Sequence, residues 1–165
     1  MSHKQIVDWC RDNDVWYLKM DIEIPEVCIQ EAQAVYDEGF FVEHRFGNGG
    51  HGGWKSASIH SFVEKGKDLD MGWFHTKNPE GHGLREDQVD WGWTEIAEVC
   101  PETKRWLEDF PHKSYRRLRF MLLEPGASID AHNDASPQRV REGRIRNIAG
   151  AINIAFYQPE NCYLR

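Results

Sequence analysis

The chain has 165 residues, 40% apolar and 28% charged, enough to bury a core in one domain over residues 1–165, which excludes a disordered chain or a repeat array. No run approaches the ~20 apolar residues of a membrane span, and the start, MSHKQIVDWCRDND, lacks the apolar stretch of a signal peptide, so a cytoplasmic protein is expected. The net charge of −7 opposes nucleic acid as a partner, yet it is uneven: residues 1–110 carry 11 Lys/Arg against 22 Asp/Glu, and residues 111–165 carry 9 against 5.

Trp16 to Ile24 alternates apolar and polar residues and predicts a half-buried strand. Pro25 and Glu26 open a helix, with Val27, Ala34 and Val35 toward one face, that stops at Gly39. A strand through Phe40, Val42 and His44 follows. The glycine-rich GNGGHGG at 47–53 lacks the Lys-Ser/Thr of a phosphate loop and reads as a turn into a strand over 54–62. Residues 64–93 read as a long polar segment with scattered Trp and His, either a lid or a surface excursion. Thr94 is placed to cap a turn, and CPETKRWLEDFP at 100–111 reads as a helix with an apolar face of Trp106, Leu107 and Phe110. Beyond Pro111 the texture is β: strands over 115–123, 129–134 and 146–157, a turn at Pro125-Gly126, another at 158–161, and a strand starting at Cys162. The expectation is a mainly β, α+β fold of small-barrel or jelly-roll type. Cysteines 10, 28, 100 and 162 form no CxxC pair and are read as reduced thiols.

The chemistry-bearing feature is His132-Asn133-Asp134. Two residues apart on a strand, an imidazole and a carboxylate share a face and supply two thirds of a 2-His-1-carboxylate iron site. The pair alone says little, because about 0.6 such pairs arise by chance from 8 His and 12 Asp. Its setting adds weight: it follows the Pro125-Gly126 turn, and Arg144 and Arg146 come soon after, suited to the carboxylate of an oxo-acid.

With these segments in place, the sequence resembles the aspartyl/asparaginyl β-hydroxylase-like, Fe(II)- and 2-oxoglutarate-dependent dioxygenases. The resemblance is carried by GGWKSASIH at 52–60, CPETKRWLEDFP at 100–111, YRRLRFMLLEPGASIDAHND at 115–134 and INIAFYQPENCYLR at 152–165. It implies a double-stranded β-helix of cupin-like jelly-roll form, His132 and Asp134 as iron ligands, and Trp54 as a wall of the 2-oxoglutarate pocket. A polar cosubstrate contact of the family falls at Met121, and Arg146 and Asn153 stand nearest to its Arg-x-His pattern. A small-molecule, peptide or lipid substrate is implied.

The family's second histidine ligand and its 2-oxoglutarate arginine lie some forty or more residues after His-x-Asp. Here 31 residues follow Asp134, and none is His. The expectation is therefore a barrel incomplete at its C-terminus, weak for iron with two ligands, and drawn into a homo-oligomer that covers its open edge. A third ligand from His60 or His75 is a lesser reading beside ordinary strand or surface histidines. The competing function is a non-catalytic cupin-like module that binds an anionic ligand through its Arg-rich segment.

Overall fold

A computed structural model describes residues 5, 8, 9, 12, 13, 21–43, 53–67, 72–75, 77, 79–110, 116–129 and 153–160. The chain divides into two compact units, Met1–Ile24 with Ala131–Arg165, and Pro25–Asp130. The first contributes a short helical stretch at residues 8, 9 and 12, where Asn13 N–H and side chain both donate to the Trp9 carbonyl. The second carries a mixed α+β arrangement around one antiparallel sheet.

Helix α1, Glu26–Asp37, is preceded by Pro25 and carries Glu26 in its first turn, where a negative charge suits the exposed N–H groups. Cys28 and Val35, two turns apart on one face, are fully buried. The helix ends as Gly39 predicts. Gly39 takes a φ of 78°, its N–H donates to the Tyr36 carbonyl at 3.0 Å, and Phe40 N–H reaches Val35 at 3.3 Å, together a Schellman motif.

The sheet is built on β2, Trp54–Glu64, longer by two residues than the strand expected over 54–62. Ser56 is partnered by both Val42 and Met121, and His60 by both Trp93 and Leu118. Two partners of one residue must lie on opposite edges, so β1, Val42–Glu43, and β3, Val89–Trp93, share one edge of β2, and β4, Leu118–Leu123, takes the other. Phe74 bridges to Phe62 on the β4 side and extends that edge. A bulge at Ile59 sits between the Ser58 and His60 pairings.

Thr94 continues the β3 edge of β2 past Trp93. Its N–H donates to Ile59 at 3.0 Å and its hydroxyl to the Ser58 carbonyl at 2.7 Å, while its oxygen accepts Ile96 N–H at 3.3 Å. It thereby opens α2, Ile96–Val99, the turn expected at this threonine. Helix α3, Pro101–Asp109, begins on a proline whose missing N–H costs nothing there. The next donors are met from α1: Glu31 accepts Glu102 N–H at 2.9 Å and Thr103 N–H at 2.7 Å, and the Thr103 hydroxyl at 2.7 Å. The three helices pack on one another and α2 reaches β2. Cys28 and Cys100 are buried free thiols, as read, with burial pushing the Cys100 thiol up to about 12.

Several sequence expectations change. Asp21–Ile24 is irregular, so the strand predicted over 16–24 has no strand structure in its described part, and residues 16–20 lie outside the described ones. Residues 153–157 are likewise irregular with a bend at Phe156, whereas a strand was expected over 146–157. The 64–93 segment is not one long excursion: it holds two short 3-10 turns, Pro79–His82 and Glu86–Gln88, and then β3. Strand alternation records which side chains are apolar and not whether a pairing partner exists, which explains both kinds of miss. No helix among the described residues is long and apolar enough to cross a membrane.

Candidate functional site

Of the expected site residues, His132, Asp134 and Arg146 lie outside the described residues. Trp54 heads β2, half-buried, opposite Leu123 of β4. Asn153 is exposed on irregular chain in the unit with residues 131–165, so the two described candidates belong to different units.

Around Trp54 the geometry is tightly specified. The Pro125-Gly126 turn forms as expected: Ala127 N–H donates to the Glu124 carbonyl at 2.9 Å, and Gly126 has a φ of 81°. Proline followed by a positive-φ glycine is the signature of a type II turn. Glu124 N–H then donates to the Gly53 carbonyl at 2.9 Å, and the Glu124 carboxylate pairs with Lys55. Gly53 has a φ of 75°, and a Cβ there would stand 3.0 Å from that of Ala127 and 3.1 Å from that of Glu124. The turn that leads toward His132 is thus clamped onto the chain on either side of Trp54.

A second constellation lies at the other end of β2. His60, Phe62, Trp91 and Trp93 share one face through the β2/β3 register. Phe62 meets Phe74 and Trp91 at 5.1 Å between centroids, and His82 meets Phe74 at 4.3 Å. The Arg117 guanidinium lies 5.8 Å over Phe62 and donates through Nη2 to the Lys77 carbonyl. His75 sits on the segment that Ser58 and Ser61 hold to the sheet, by donating to the His75 and Phe74 carbonyls.

Each charge here is modulated by its surroundings. Burial lowers the His60 pKa, opposed by its Nδ1–H bond to the Arg116 carbonyl. Burial also lowers His75, against Glu95, whose carboxylate is 3.8 Å from Nε2, and together with Arg117. His82 falls through burial, Lys77 and Arg117. Burial, reinforced by Arg119, takes Arg117 down to about 10.

His60 is 7% exposed, stacked near Trp91 and edge-on to Trp93, the packing of a strand histidine in a satisfied position. Among the described residues no three His, Cys, Asp or Glu gather as a metal site. The cluster went unseen in the sequence because its members come from β2, a loop, a 3-10 turn, β3 and the residue just before β4. The one available signal was Trp91 and Trp93, two apart after Val89, a short alternation interrupted by Gly92. Compared with known proteins, the chain matches no family model, and neither a curated protein nor a solved structure is similar to it.

Proposed function

We propose that the chain is an oxygenase domain of the aspartyl/asparaginyl β-hydroxylase type that uses Fe(II) and 2-oxoglutarate on a double-stranded β-helix. What carries the proposal is the His132-x-Asp134 pair placed shortly after a Pro125-Gly126 turn, a turn pinned to Gly53 beside Trp54. The donor chemistry fits the metal: one imidazole and one carboxylate match the ligand preferences of Fe(II), and the carboxylate offsets part of the dication's charge. Bound iron with 2-oxoglutarate supplies the oxidising power to put an oxygen atom into an unactivated C–H bond.

The chain's own residues then have separable tasks. His132 and Asp134 hold the metal. The Arg146 guanidinium pairs with a carboxylate of 2-oxoglutarate, a planar fork meeting a planar acceptor. The Asn153 amide donates to the same molecule. A small molecule, peptide or lipid moiety serves as substrate.

The test is succinate formation from 2-oxoglutarate with Fe(II), comparing the protein with His132→Ala and Asp134→Ala. The proposal expects little turnover from the wild-type chain, because two protein ligands hold iron weakly, and less still from both variants at equal folded concentration. Turnover that is equal in all three sinks it.

A further inference from the structure

We propose that Arg117, His75 and His82, over a floor of Phe62, Phe74 and Trp91, form a binding site for a small oxyanion, a carboxylate or a phosphate. It goes beyond the iron reading and uses none of the residues proposed there.

Two buried polar atoms lead to it. Arg117 Nε and His75 Nδ1 are buried and have no hydrogen-bond partner. A buried donor left unmade costs more than a made one gains, so both positions invite a ligand atom. They belong to one neighbourhood: Arg117 bonds the Lys77 carbonyl, two residues along from His75, and its charge is felt by both His75 and His82.

The chemistry of the surroundings selects the ligand. The charges felt at this place are those of Arg117, Arg119 and Lys77 beside His75 and His82, with Glu95 the acid that opposes them. Glu95 lies at 3.8 Å from the far nitrogen of His75 with its side chain 54% exposed, and among the described residues no carboxylate pairs with Arg117. A cation is repelled, and an apolar ligand leaves both donors orphaned. An oxygen anion takes Nε–H of Arg117 and Nδ1–H of a neutral His75, two donors on separate segments.

Its walls are held in place, while both orphaned atoms are closed to solvent, so an anion reaches them by displacing the side chains that cover them. Ser58 and Ser61 staple the 74–75 backbone to β2, and the guanidinium is laid flat on Phe62, which fixes its plane. His75 is 22% exposed and His82 lies at the surface, so the His82 rim is the side from which a small ligand reaches them once a covering side chain turns away.

The experiment titrates the full chain with inorganic phosphate and, separately, with malonate, at ionic strength held constant with sodium chloride. Histidine ring nitrogen shifts and Trp fluorescence are the readouts. Saturable shifts at His75 and His82 are expected, weakened about tenfold or more in Arg117→Gln and unchanged in Arg85→Gln, a surface charge elsewhere. Glu95→Gln, which removes the opposing acid, tightens binding, and it decides the matter should Arg117→Gln fail to fold. A response to malonate alone identifies a carboxylate ligand, and one to phosphate alone a phosphate; either supports the site. No saturable shift with either anion, an equal loss in Arg85→Gln, or no tightening in Glu95→Gln overturns it.

Discussion

Glu31 shows how one side chain ties two helices. Its carboxylate takes two N–H groups of the first turn of α3 and the Thr103 hydroxyl, so a residue of α1 acts as the N-terminal cap of another helix. Glu31→Gln keeps the shape but loses the charge that faces the helix N-terminus. It is expected to cost about 1 kcal/mol in urea unfolding, and an unchanged midpoint would show that the cap is idle. Gly53 and Gly126 make a matched pair at the same scale. Both have positive φ, but a Cβ at Gly126 meets open space whereas one at Gly53 stands 3.0 Å from Ala127. Gly126→Ala therefore bears only backbone strain, about 1 kcal/mol, and Gly53→Ala adds a clash on top, about 1 to 3 kcal/mol more. Equal losses in thermal unfolding would contradict the clamp.

Among the elements, β2 organises the larger unit, and its legibility in sequence was uneven. Helix α1 could be read with its end because Gly39 is the residue the Schellman geometry requires, and α3 because Pro101 fits only a first turn. Strand β4 was visible as apolar alternation, β2 as the segment that the glycine-rich turn leads into, and the Pro125-Gly126 turn as the pair a type II turn demands. Strand β3 was not, since five residues with a glycine among them carry little pattern, and its place is set by β2, whose Ser61 opposes Gly92. Trp73 exploits that glycine: a Cβ at Gly92 would come within 2.9 Å of its ring. The opposite error, a strand foreseen where Asp21–Ile24 is irregular, has the same origin, because alternation shows amphipathy and says nothing of a neighbour. The His75, His82 and Arg117 cluster was illegible for a further reason: it is assembled across elements, and spacing along the chain holds no trace of it.

For the molecule as a whole, buried histidines couple stability to pH. His60 and His75 are held neutral by burial, their pKa values below the ordinary 6.5, while His82 is too exposed to weigh much. As pH falls through about 6.5 the unfolded chain takes up protons that the folded chain refuses. Stability is therefore full above that value and declines on acidification toward the lower folded-state pKa values. The urea midpoint should drop between about pH 7 and pH 5.5, with a shallower drop in His75→Gln; a flat profile would contradict the burial. The proposed iron site rests on a pair of residues with a turn before them, and because His132 and Asp134 lie outside the described residues it stands on resemblance rather than geometry. The most direct test is Mn(II) binding, with Mn(II) as a redox-silent stand-in for Fe(II), followed by loss of the free-ion EPR signal with 2-oxoglutarate present. The account predicts one weakly held ion per chain, with His132→Ala and Asp134→Ala each weakening binding about tenfold or more, and equal binding in the wild type and both variants would contradict it.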